Sequence, residues 1–428
     1  MSAAVSVLCG LLLVGAAAAP AGAETTREQQ WFLDAMKAEG MWKTSTGKGV
    51  TVAVIDTGVD PSIPDLAGQI LPGKDFSEGQ PGDAHVDYEG HGTGMAVLIA
   101  GTGSAHGGNG SFGLAPGAKI LPLRMPKAID TANQAEGNKQ FNRIAPQAIR
   151  YAADQQAKVI NISLGVDEGS PQLTGAVKYA LDKGSLVFAA VGNSGNVDNA
   201  VEYPGATPGV VGVSAVGKDL RKTAESEYGP QVDMSAPGDG IVHACPGGTG
   251  LCESHGTSDA TALASASAAL IWSAHPTWTN NQVLRVMLNT IGGPTDGAKR
   301  NDSIGFGIVR PRIALVNPGD PGPANVYPLP DPPSSGESAT PATPSPAGTP
   351  AAADARRANK AAESGTRTTT WLALGLGALG IVVVILGLWV LRKRRKQAAA
   401  AQVQARQPSW GPGQGWPEHP NRDRTGSY

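Results

Sequence analysis

The chain has 428 residues, 16% of them charged, a formal net charge of −2 and three cysteines. That length allows two or three domains, and a near-neutral chain with no basic patch in its body gives no reason to propose nucleic acid as a partner. Both ends must be set aside before the folded part is counted.

Residues 1–23 carry an apolar run, LCGLLLVGAAAA, and close on Ala21-Gly22-Ala23, the small-x-small pattern of a signal peptide. The expected mature N-terminus is Glu24, and Cys9 would be discarded with the leader. No Lys or Arg precedes the apolar run, which departs from the usual signal pattern and leaves the start codon open. Residues 24–49 form a short N-terminal extension.

One folded unit is then expected, with its domain at 50–317. It opens on the strand-like VTVAVID and continues with a helix from His91, the run KILPLR and a helix near 145–157. KVINISLG, a helix near 172–183, SLVFAAVGN and GVVGVSAVG follow. Such alternation predicts an α/β fold, a mostly parallel central sheet with helices on both faces. VTVAVI and SLVFAAV are apolar almost continuously, as expected of strands covered on both sides. Loops at the carboxyl ends of such strands carry the sites.

Four residues stand at these junctions. Asp56 in VIDTGVD and Asn193 in GNSG each lie just past a strand. His91 in HGTGMA and Ser258 in HGTSDATA open helices rich in Ala, Ser and Gly, and the Gly-rich entries let both side chains project into one cleft. A serine hydroxyl needs a base to take its proton, and an imidazole needs an acid partner to fix its tautomer and stabilise its cation. Ser258, His91 and Asp56 are the candidates, in the order Asp, His, Ser. The amide of Asn193 and the backbone N–H of Ser258 would serve the oxyanion. An aspartic-protease reading of DTG needs a second such carboxylate loop, and the sequence has no other DTG or DSG. His85, His106, His243, His255 and His275 lack the local motif of His91 and are expected to be surface or packing residues.

Cys245 and Cys252 frame CPGGTGLC, which in an exported protein reads as a disulfide. A metal would need more ligands than two thiols, and no zinc spacing is present. No metal and no cofactor are expected.

From about 318 to 370 the composition turns to Pro, Ser, Thr, Ala and Gly, as in PLPDPPSSGESATPATPSPAGTP, and predicts a disordered spacer. Residues 371–391, WLALGLGALGIVVVILGLWVL, carry no charge and are long enough to cross about 30 Å of hydrocarbon as a helix. RKRRK at 392–396 should stay in the cytoplasm. The tail at 392–428 is short and not expected to fold. Together these predict a single-pass type I protein of the cell membrane with its catalytic domain outside the cytoplasm.

The residue set resembles the subtilisin-like serine proteases over nearly the whole of residues 45–317. Besides the triad segments, the likeness rests on GLAPGAKILPLR, VINISLG, AAVGNSG, SAPG and GFGIVRPRIAL. It implies that Ser163, Leu164 and Gly165 pair with substrate as an added strand and, with Ala190 and Gly192 in the stretch 189–192, line the primary specificity pocket. Small walls imply a pocket tolerant of apolar groups, and strand addition suits an extended polypeptide substrate. Signal peptide, protease domain, Pro-rich spacer and single C-terminal span look like a mycosin, the membrane-anchored protease of type VII secretion systems. The opening EQQWFLDAMKAEGMWKTSTGKGVTVAVID is similar to how mycosins begin. That likeness implies an extension that packs on the domain rather than inhibiting it, and a type VII membrane complex as partner. Two alternatives stand beside it: a structural scaffold of such a complex with dispensable catalysis, and a wall-tethered degradative protease. Gly94, Asp259 and Ala262 depart from the common subtilisin pattern. Unless it is paired or points away, Asp259 would oppose oxyanion charge, and its removal should then raise the rate.

Overall fold

The computed structural model describes residues 24–330, apart from 78, 128–130 and 248–249. The expected leader, the span at 371–391 and the tail lie outside the described residues. Among those described, no helix is long and apolar enough to cross a membrane.

Seven parallel strands form the central sheet: β1 (Thr51–Asp56), β2 (Lys74–Asp75), β3 (Lys119–Arg124), β4 (Val159–Ile162), β5 (Leu186–Ala190), β6 (Val211–Val216) and β7 (Met234–Pro237). Their spatial order is β2-β3-β1-β4-β5-β6-β7. Side chains alternate across a strand, so Val52 and Val54 of β1 enter one apolar core while Ala53 and Ile55 enter the other. Apolar residues at every position are therefore required, which is why the sequence shows continuous runs rather than alternation.

One face is covered by α4 (His91–Ala100) and α7 (Thr257–Ala274), the other by α5 (Gln134–Asp154) and α6 (Pro171–Asp182). Every residue of α4 after His91 is buried, as expected of a helix apolar all round. Burying Leu98 or Ile99 stabilises the fold by about 1.5–3 kcal/mol each. α5 begins well before the helix expected near 145. Asn133 caps it through its side chain, and Phe141 and Ile144 anchor its first half in the core.

The N-terminal extension folds as three short helices, α1 (Thr26–Gln29), α2 (Trp31–Met36) and α3 (Ala38–Trp42). Phe32, Leu33, Met36 and Met41 are buried in the core that α4 and α7 share. Gln30, fully buried, donates to the Ser111 hydroxyl and to the Phe112 and Val242 carbonyls, and accepts from the Phe112 N–H. Such a buried amide fixes the extension's register, because any other docking strands its polar atoms.

At the other end, residues 318–330, which composition assigns to the spacer, lie against the domain. Arg285 of α8 (Asn280–Asn289) donates to the carbonyls of Pro321, Pro323 and Val326. The Tyr327 hydroxyl reaches the Gly209 carbonyl at 2.9 Å, and Leu329 is buried. Proline-rich sequence suits this mode of docking, since its carbonyls remain free to accept hydrogen bonds even where it has no N–H to donate.

Candidate active site

In the sheet order, the chain leaves β1 towards β2 and β3 but leaves β4 towards β5. The switch point of this open sheet thus lies between the carboxyl ends of β1 and β4, where a crevice forms. Asp56 is the last residue of β1, and Ser163 follows β4 directly.

Asp56 is fully buried. Its Oδ1 lies 2.7 Å from His91 Nδ1 and accepts from the Thr57 N–H at 2.8 Å. The start of α4 is tied to the same strand end. Gly92 N–H donates to Thr57 Oγ1 at 2.9 Å and Thr93 N–H to Asp87 Oδ2 at 2.7 Å. These bonds satisfy helix N–H groups that have no partner within the helix. Position 92 must be glycine for this approach, since a Cβ there would lie 3.0 Å from Asp56 Cβ and clash with the Gly58 carbonyl.

Because a carboxylate accepts from it, His91 Nδ1 carries a proton, and in the neutral ring Nε2 is then the acceptor. Burial by itself depresses the imidazolium. The charge and hydrogen bond of Asp56, with Asp259 and Asp87 behind them, outweigh it and push the His91 pKa up to about 9.

Ser258 sits in the first turn of α7, whose entry is locked to Asn193. The Thr257 N–H and hydroxyl both donate to Asn193 Oδ1, at 2.9 and 3.1 Å. An N–H donor identifies the oxygen end of the amide, so the Nδ2 donors of exposed Asn193 are left for another acceptor. The Ser258 hydroxyl donates to the Ser163 carbonyl at 3.3 Å. Its single proton is thereby directed at β4's end in this rotamer rather than at His91. A buried chain holds that end in place: Ser265 Oγ donates to Asn161 Oδ1, Asn161 Nδ2 to Ser163 Oγ, and Ser163 Oγ to the Ser258 carbonyl. Asp56, His91, Ser258, Asn193 and Ser163 are thus brought to one edge of the sheet.

Leu164 and Gly165, with Val166, Met125, Pro126 and Phe141, line a cleft of about 450 Å³ beside that edge. The small walls of the expected pocket, however, are backed by acid. A Cβ at Gly165 would collide with Glu202 Oε2, and one at Gly192 with both carboxyl oxygens of Glu227. Ala190, at the end of β5, is nearly buried. Glu202 and Glu227, which the small residues by themselves do not reveal, thus stand against Gly165 and Gly192.

The three departures have local causes. The His243 ring occupies the space a side chain at position 94 would fill, its Cε1 2.6 Å from where a Cβ would stand. Ala262 is buried inside α7. Asp259 is buried and paired, its Oδ1 accepting from the Ser254 hydroxyl at 2.9 Å. Burial pushes its carboxyl pKa up against the opposing pull of His243, the Ser254 bond, His91 and His255. Cys245 and Cys252 are joined by a disulfide across the end of the hairpin β8 (Ile241–Ala244) and β9 (Leu251–Ser254), with Cα atoms 5.8 Å apart. Among the described residues no cluster of His, Cys, Asp or Glu could hold a metal ion.

Residues 47–307 match the profile of the subtilase family, peptidase S8. An intracellular serine protease of Paenibacillus polymyxa is 36% identical over 244 residues, 56% of this chain and 71% of that one. The MycP3 protease from the type VII (ESX-3) secretion system is similar at 32% identity and a TM-score of 0.58, over 66% of this chain and 87% of that one. A chain in the periplasmic assembly of the ESX-5 inner membrane complex aligns at 27% identity and a TM-score of 0.61, covering 77% and 92%.

Proposed function

This chain belongs to the subtilase family and is a serine endopeptidase, and we propose that it cleaves extended polypeptide outside the cytoplasmic membrane with Ser258 as nucleophile. The observation that carries the assignment is the 2.7 Å contact between His91 Nδ1 and buried Asp56, at the edge where Ser258 opens α7.

In the proposed reaction, the Ser258 hydroxyl turns from the Ser163 carbonyl, passes its proton to His91 Nε2 and attacks the scissile carbonyl. Asp56 stabilises the imidazolium without taking its proton. The oxyanion receives donors from Asn193 Nδ2 and the Ser258 backbone N–H, both pre-set because Asn193 is already fixed to the start of α7. His91 then protonates the leaving amine, and water resolves the acyl-enzyme by the reverse sequence. Ser163 to Gly165, continuing from β4, would take the substrate backbone as an added strand, with the adjoining cleft receiving side chains.

The uncharged run at 371–391 followed by RKRRK supports a single membrane anchor with the tail inside. Likeness to MycP3 and to the ESX-5 assembly chain supports work within a type VII secretion complex. The same likeness favours a scaffold role held together with catalysis.

The full chain in detergent micelles should hydrolyse a pool of unstructured peptides, and Ser258→Ala should abolish the cleavage. Equal turnover by the variant would refute Ser258 as nucleophile.

A further inference from the structure

We propose that Glu202 and Glu227 make the primary specificity pocket of this protease acidic, so that it selects substrates with Lys or Arg on the amino side of the cut bond. This rests on the pocket assignment above, which takes Gly165 and Gly192 as lining residues.

The first observation is placement. Val166 and Tyr203 exchange both backbone hydrogen bonds, Val166 N–H to Tyr203 at 2.9 Å and Tyr203 N–H to Val166 at 2.7 Å. That bridge lays residue 202 beside residue 165, and the carboxylate of Glu202 fills the space where a Gly165 side chain would stand. Glu227 stands in the same way behind Gly192. Glu202 is partly exposed there, so its carboxylate can meet whatever enters beside Gly165, while Glu227, fully buried, adds its charge from behind Gly192.

The second observation is an incomplete hydrogen-bond set. Glu227 is fully buried, and its Oε1 accepts from the Ser194 hydroxyl at 2.8 Å and the Ser194 N–H at 3.3 Å. Its Oε2 is buried with no hydrogen-bond partner. A buried acceptor left unmet costs stability, and a cation drawn to Glu202 would lower that cost through its charge.

The third is charge. The charged groups that act on Glu202 are Glu227 and Asp167, and those that act on Glu227 are Asp198 and Asp167, all of them acidic. Burial, reinforced by these neighbours, raises the Glu202 pKa to about 7. Two or three like carboxylates in a partly dry site are relieved by a cation, and a neutral or acidic side chain gains no such relief. Long Lys and Arg side chains suit such a site, since their stems pack along apolar walls while the head reaches a carboxylate.

The test uses the full chain in detergent and a peptide series identical except for Lys, Arg, Leu, Phe or Ala before the cut bond. Lys and Arg should exceed Leu and Phe by tenfold or more in kcat/KM. Glu202→Gln should lower the Lys value by at least tenfold and raise the Leu value, while Glu202→Asp keeps the preference for a basic residue. The Lys-to-Ala ratio should rise with pH through about 7 as Glu202 ionises. A wild-type preference for Leu or Phe, or a ratio that Glu202→Gln leaves unmoved, overturns the proposal. Failure of the wild type to react with a fluorophosphonate, by contrast, would overturn the nucleophile assignment beneath it.

Discussion

Replacing Asp259 with Asn should shift the pH dependence of catalysis to lower pH. A general base works only when it is neutral, and His91, with a pKa of about 9, is neutral in about 1% of molecules at pH 7. Since His91 gains its proton more readily than a free histidine, kcat/KM should rise about tenfold per pH unit between about pH 6 and 8 and level off above about 9. Asp259 is one of three carboxylates that hold the imidazolium, after Asp56. It reaches His91 from the nucleophile's own helix but is turned towards Ser254 and His243. Its removal therefore acts through the base rather than the oxyanion, and each half unit by which the limb moves down multiplies activity at pH 7 by about three. The assay is turnover of a peptide with Ala before the cut bond, which is uncharged at that position and so insensitive to Glu202. A wild-type rate that is flat from pH 6 upward, or a limb that moves up in Asp259→Asn, would refute this reasoning.

Other substitutions separate catalysis from packing. Asn193→Ala removes the side-chain oxyanion donor and should lower kcat by about 10²- to 10³-fold, a magnitude that comes from subtilisin itself, with a smaller effect on KM in steady-state assays. Gly94→Ala sets a Cβ 2.6 Å from the His243 ring and should destabilise the domain by about 1–3 kcal/mol in denaturant titration. Gln30→Leu leaves the Phe112 N–H and the Val242 carbonyl unmet beneath the N-terminal extension. It should cost about 1–3 kcal/mol in the same titration and expose residues 24–42 to protease before the rest of the domain.

Much of this arrangement was legible in the sequence because it is written locally. β1, β3, β4, β5 and β6 fall inside the apolar runs read as strands, since a strand buried on both faces cannot hide among polar residues. The strand-end and helix-start positions of Asp56, Asn193, His91 and Ser258 follow from Gly-rich junctions of the same kind. Contacts made across the fold left no local mark. Glu202 meets Gly165 through the Val166 and Tyr203 bridge, and Glu227 meets Gly192 from a separate loop, so the small residues give no local sign of the acids beside them. α1 to α3 are too short for a helical period to show, and they hold together through Gln30 and the core rather than through propensity. The docking of residues 318–330 depends on Arg285, a residue that in sequence is only another exposed charge on an amphipathic helix.

The measurement that tests the central claim most directly is the site of covalent labelling. The full chain, treated with a fluorophosphonate and digested for mass spectrometry, should carry one adduct, on Ser258, formed more slowly in His91→Ala and not at all in Ser258→Ala. An adduct on any other residue, or an unlabelled Ser258 in protein that remains folded, would contradict the account.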